Sequence, residues 1–225
     1  MQLNFAQRWI APSIFAAAMG YLEAAVVFYL RTMVGRLDPY QPAPLPKFAG
    51  LASAEILREA ATLLMITTVG CMAGKTWRGK LGISLMVFGI WDITYYIFLW
   101  PLTGWPSSLF SWDILFLIPL PWWGPVWAPV SIAMLMIFFG LLATVLEQGE
   151  PPIWPDKWTA MVSAVGMAIA LYVFMADAIA NTRFGADAIR QTLPVHFQTP
   201  LFVCALLLMS APVLQMGRQL ATRYR

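Results

Sequence analysis

Apolar residues run in long blocks along this chain, and short polar stretches separate them. An α-helix rises about 1.5 Å per residue, so about 20 apolar residues cross the hydrocarbon layer of a bilayer. Six blocks reach or approach that length, at 11–33, 50–73, 80–100, 126–146, 158–180 and 198–217. The pattern predicts an all-α fold: a polytopic integral membrane protein, a single transmembrane domain over 1–225 with six transmembrane helices. The first block offers small residues at Ala16-Ala17-Ala18, as a cleavage site would, but it continues apolar through Val26, Val27, Phe28 and Tyr29. That is longer than the apolar core of a removable signal, so the block is expected to stay as a helix.

Two connections stand apart. The stretch from Asp38 to Pro46 is proline-rich and reads as a stiff extended strap, because proline fixes φ and removes a backbone donor. Between the third and fourth blocks, the apolar piece Leu109–Ile118 is too short to span and is closed by prolines on both sides. It predicts a Trp/Pro-rich re-entrant or interfacial segment over about 107–120, a hairpin or a short helix capped by Ser107 or Ser108. Trp105, Trp122, Trp123 and Trp127 cluster around it. Indole favours the headgroup layer, where the ring is buried and the N–H stays wet, so the segment is placed at a membrane surface. Small residues line the fifth block (Ala160, Ser163, Ala164, Gly166, Ala168, Ala170) and the first, and these read as close helix–helix packing.

Composition narrows the function classes. Hydrophobic residues make up 60% of the 225 and charged residues 11%, which leaves no room for a sizeable soluble domain. The net charge is +3 with scattered bases, and no basic stripe interleaves with aromatics, so nucleic acid is not an expected partner. Membrane lipids, other membrane subunits or a second copy of the chain are. Counting bases by loop gives eight on the side of Lys75, Arg78 and Lys80 against five on the other, which puts both termini in the cytoplasm of a multi-pass cell-membrane protein. Cys71 and Cys204 fall near opposite faces, so no disulfide is expected.

The candidate chemistry lies in the polar residues inside the blocks. Glu23, Glu59 and Asp92 each fall within about a turn of the middle of their helix. A central charge costs about 2.5–3.5 kcal/mol on insertion scales, so each needs a proton, a partner or a cation. Glu55, Arg58 and Glu59 share one helical face, acid, base, acid, and Arg58 is three residues from Glu55 and within its reach. Asp92 shares a face with Tyr95 and Tyr96. Glu23 has no local partner and must find one on another helix. The expectation is a common chamber floored by Glu23, Glu59 and Asp92 as catalytic or cation-binding groups. Arg58, Tyr95, Tyr96 and Asp113 would contact a bound ligand.

Hard oxygen donors at Glu23, Glu55, Glu59 and Asp92 would suit a divalent metal. His196 is the only histidine, so bis-histidine haem, histidine-rich oxygenase sites and the Glu-x-x-His di-iron pattern are not expected. Arg31 reads as a snorkelling base and Tyr29 as an interfacial anchor. Glu147, Glu150 and Asp156 read as water-facing, and Asp187, Arg190 and His196 as ordinary loop residues. Three functions fit: an intramembrane site for a cation or small ligand, extending to an enzyme on a lipid-soluble substrate; a proton- or cation-coupled transporter; or a non-catalytic subunit of a membrane complex. The lack of an internal repeat weighs against the transporter.

Overall fold

The computed structural model describes residues 5–40, 51–146, 153–185, 188, 193–194 and 196–223. Six helices are long and apolar enough to cross a membrane. They are α1 (Phe5–Met33), α2 (Leu51–Ala73), α3 (Trp77–Thr103), α4 (Trp127–Leu146), α5 (Lys157–Asn181, followed by a 3-10 turn at Thr182–Phe184) and α6 (Thr199–Arg223). Most of the Pro-rich strap, together with Glu147, Glu150, Asp187 and Arg190, lies outside the described residues.

Several helices run past their apolar blocks because polar residues cap or extend them. Thr76 opens α3 by accepting the Gly79 N–H at 3.1 Å, and Asp156 opens α5 by accepting the Thr159 N–H at 2.8 Å. Asp156 also accepts from the Gln215 side chain of α6. These bonds favour its charged form and hold its carboxyl below the usual range. It is therefore an N-cap and an interhelix tie as well as a surface acid. At the other end of the bundle Gly35 takes φ 68, which lets α1 close its last turn with the Arg36 N–H on the Arg31 carbonyl at 2.7 Å.

α3 is the central helix and packs on α1, α2 and α4; α5 packs on α6, and α4 also meets α6. The seams use small residues. Ala16, Gly20 and Ala24 recur every four residues on the buried face of α1. Between α3 and α4 the backbones approach so closely that a Cβ on Gly140 would stand 2.3 Å from the Gly82 carbonyl oxygen. Gly140→Ala is therefore expected to force α3 and α4 apart at a cost of about 1–3 kcal/mol, read as a lowered midpoint of detergent unfolding. An unchanged midpoint would mean that the seam opens freely. On α5 the small residues divide. Ser163, Gly166 and Ala170 turn inward, with Gly166 against Ala205 of α6, whereas Ala160, Ala164 and Ala168 are exposed.

The fold is mostly helical, as expected, and the segment between α3 and α4 takes the hairpin alternative over the short helix. It is an antiparallel β-hairpin, β1 (Trp112–Phe116) and β2 (Trp122–Pro125), paired Trp112 with Pro125, Asp113 with Gly124 and Ile114 with Trp123. The register slips between Ile114 and Phe116, where Leu115 is accommodated before Phe116 pairs with Trp122. Two further backbone bonds, Val126 N–H to Ser111 and Trp127 N–H to Leu109, lengthen the ribbon toward α4. Aromatic and branched residues at 112–116 favour a pleated strand over a helix.

The tryptophans of this region depart from expectation, since Trp105 and Trp123 are buried. Trp122 stacks on Phe174 of α5 with rings 7° from parallel, and Trp127 packs edge-on to Phe197 and Phe202. These indoles fasten the hairpin to the helices. The widely exposed ones are Trp77, Trp100 and Trp158.

Candidate functional site

The polar residues of α1, α2 and α3 form two groups beneath the hairpin. The first joins α1 to α2. Arg58 donates from Nε and Nη2 to Glu55, at 3.1 and 2.8 Å, and from Nη1 to Glu23. The local Glu55–Arg58 pair and the interhelix partner for Glu23 are thus one triad of two acids and one base. Glu59, one residue further along α2, turns to the hairpin. Its carboxylate accepts the Leu117 N–H at 2.8 Å, and the Ile118 N–H contributes as well. This bond satisfies donors in the loop that joins the two strands, where a buried N–H without an acceptor would be costly.

The second group joins α1, α3 and β1. Arg31 donates from Nη2 to Asp113 at 3.0 Å and from Nη1 to the Leu37 carbonyl at 3.1 Å. Its guanidinium lies over the Trp105 ring, 4.1 Å from the centroid. Arg31 is buried, so its reading as a snorkelling base is corrected: it is the partner of the hairpin acid. Asp113 also takes the Ile114 N–H at 2.9 Å and the Tyr96 hydroxyl. Burial pushes the Asp113 carboxyl up to about 6, against the downward pull of Arg31, that N–H and the hydroxyl; Asp38 adds a further upward push.

Asp92 sits one helical turn from Tyr96 and feels the charge of Asp113. Its Oδ2 is buried and has no hydrogen-bond partner among the described residues. Tyr95 is within electrostatic reach of Asp113 and Arg31 of one group and of Glu23 and Arg58 of the other.

The predicted residues are therefore all at this end of the fold, divided between distinct sets of hydrogen bonds. Glu23 belongs to the Arg58 triad, Glu59 is committed to the hairpin backbone, and Asp92 belongs with Asp113 and Tyr96. Among the described residues no three His, Cys, Asp or Glu side chains gather to hold a metal ion, so the four-carboxylate set Glu23, Glu55, Glu59 and Asp92 is not assembled as metal donors. Arg31 is the site residue that sequence reasoning missed. A signal was available: Gly35 closes the helix four residues later, which keeps Arg31 within the last turn, beside the start of the 38–40 segment. That segment in turn covers the hairpin, with Tyr40 stacked on Trp112 and its hydroxyl donating to the Pro194 carbonyl at 2.7 Å.

The site has five carboxyl groups (Glu23, Glu55, Glu59, Asp92, Asp113) and two guanidinium groups (Arg31, Arg58), an excess of acid. Both guanidinium groups are already engaged, and Asp92 shares neither of them. No protein-family model, no curated protein and no solved structure matches the chain.

Proposed function

We propose that this chain is a multi-pass membrane protein that binds a cation or a small cationic ligand at the junction of α1, α3 and the hairpin, with Asp92 as the free anionic ligand. The observation that carries the reading is the Asp92 Oδ2: buried, without a hydrogen-bond partner among the described residues, and near a second carboxyl group at Asp113. Taking a carboxylate out of water without a partner is expensive, and ionisable groups retained inside apolar helices mark sites of function. The excess of acids over bases gives the sign of the missing charge. Tyr95 and Tyr96 supply ring faces and hydroxyls beside it, a setting that suits an organic ammonium as well as a metal ion.

Chemistry on a lipid-soluble substrate is an extension of this reading, in which the Tyr96 hydroxyl bonded to Asp113 and the unpaired Asp92 would serve as the acid–base groups. The transporter reading draws less support, since the acids crowd one end of the bundle.

The test is titration of the purified protein with sodium, magnesium, calcium and ethylammonium, followed by indole fluorescence, for which Trp91 and Trp105 are close reporters. A saturable change with at least one cation is expected, weakened at least tenfold in Asp92→Asn, about 1.4 kcal/mol of binding energy. A response that survives in Asp92→Asn, or no saturable response to any of the four, would overturn the proposal.

A further inference from the structure

The bundle end opposite the hairpin holds a cation, Arg78, whose Nε has no hydrogen-bond partner among the described residues. Arg78, in the first turn of α3, lies beside two indoles. Its guanidinium carbon is 5.4 Å from the Trp77 centroid and 5.6 Å from that of Trp154, which comes from the segment before α5. The two rings contact each other edge-on at 4.9 Å, and Trp154 is itself braced by Phe139 of α4. The arrangement is thus built by three elements distant in sequence.

Arg78 Nε is buried without a hydrogen-bond partner, and no carboxylate among the described residues pairs with the guanidinium. Arg78 as a whole is half-buried. The one described acid nearby in sequence, Asp156, is taken up by the Thr159 N–H and by Gln215. Lys75, Lys80 and Lys157 are exposed in the adjoining stretches, and Trp77 and Trp158 present large exposed rings.

We infer that this end of the bundle binds the phosphate of an anionic phospholipid headgroup, with Arg78 as the donor held in place by Trp77 and Trp154. A guanidinium presents paired N–H donors that match a phosphate, which an ammonium does not. The lysines supply further positive charge at the level where anionic headgroups lie. The exposed indoles of Trp77 and Trp158 mark that level, since their rings favour the interface between headgroups and acyl chains. Both features favour a lipid over a free phosphate ion: aromatic surface beside the cation would be idle against a small hydrophilic ligand and is covered by a glycerol backbone and its acyl chains.

The full chain, purified from mixed detergent micelles containing equal amounts of phosphatidylglycerol and phosphatidylcholine, tests this by analysis of the lipid that stays bound. Wild type is expected to retain the anionic lipid about fivefold over the zwitterionic one. Arg78→Gln should fall to the ratio of the micelle. Arg78→Lys, which keeps the charge but loses the fork, should lie between them and serves if the glutamine variant does not fold. Arg183→Gln, at the far end of α5, should retain the wild-type ratio.

Equal retention in wild type and Arg78→Gln would overturn the inference, and so would an equal loss in Arg183→Gln, which would assign the effect to net charge. In a parallel arm inorganic phosphate is added at increasing concentration. Complete displacement of the lipid by millimolar phosphate would show a soluble phosphate as the ligand and would also overturn it.

Discussion

Arg31→Met is expected to destabilise the fold by about 3–5 kcal/mol near pH 8 and by much less near pH 5. The guanidinium joins three parts of the site at once: Asp113 of the hairpin, the Leu37 carbonyl beyond α1 and the Trp105 ring. Its removal leaves a buried carboxyl with only the Tyr96 hydroxyl and the Ile114 N–H.

The pH dependence follows from Asp113. Its folded-state value of about 6 is above the ordinary 3.8. The folded protein therefore holds this proton more tightly than the unfolded chain does. The group's contribution is fully present below the unfolded value and is lost as pH rises through about 6. The upward displacement corresponds to something on the order of 3 kcal/mol between those limits. Without Arg31 the largest downward pull is gone and the carboxyl titrates higher still. The loss then extends further into the neutral range, and the cost of the substitution grows with pH. Equilibrium unfolding of wild type and variant at both pH values measures it. The double variant Arg31→Met, Asp113→Asn should recover most of the loss at pH 8, because no charge is then left stranded. A cost that does not vary with pH, or a double variant worse than the sum of the singles, would mean that the pair is not the source.

What could be read from the amino-acid order divides along a physical line. Hydrophobic blocks mark the six long helices, because an apolar run of that length has one economical way to satisfy its backbone. Contacts within one helix are equally legible: Glu55 and Arg58 are three residues apart, and that spacing alone puts them on one face. Contacts between elements were legible only as a need. Glu23 required a partner elsewhere, and nothing in the periodicity could name Arg58, 35 positions away.

The Arg31–Asp113 pair spans 82 positions and the Glu59–Leu117 bond 58. Both depend on where the hairpin comes to rest. That in turn depends on Trp122 finding Phe174 and Gly124 sitting against the same ring. The hairpin itself was legible only as one of two alternatives, for a local reason. A short apolar run bounded by prolines fits a short helix or a strand about equally well, and the aromatic content of 112–116 expresses interfacial preference and strand preference alike. The tryptophans were given one role, as surface markers. Trp105 and Trp123 instead use their area for burial, where a large flat ring contributes most.

Arg58→Met is expected to be as damaging, for a different reason. Arg58 is the one base between two acids, so its loss strands both Glu23 and Glu55 within helices that are apolar on either side. In a bilayer each such carboxylate would cost about 2.5–3.5 kcal/mol by the insertion scales, limited by the option of taking up a proton. A net loss of about 3–5 kcal/mol is therefore expected, together with poorer yield of folded protein from the membrane.

Arg58→Lys should recover only part of this. A single ammonium cannot reproduce the three donors that Nε, Nη1 and Nη2 direct at two different helices. The triple variant Arg58→Met, Glu23→Gln, Glu55→Gln separates the explanations. If charge balance is what Arg58 supplies, removing both acids with it should restore most of the stability while leaving the α1–α2 contact weaker than in wild type. If the triple variant is no more stable than Arg58→Met alone, the residue matters for the hydrogen bonds that tie α1 to α2, and the acids tolerate solitude by binding protons. The Asp92 response to cations distinguishes the two groups further. It should persist in the triple variant, since Asp92 interacts with Asp113 and Tyr96, and should weaken at least tenfold in Asp92→Asn with the triad intact.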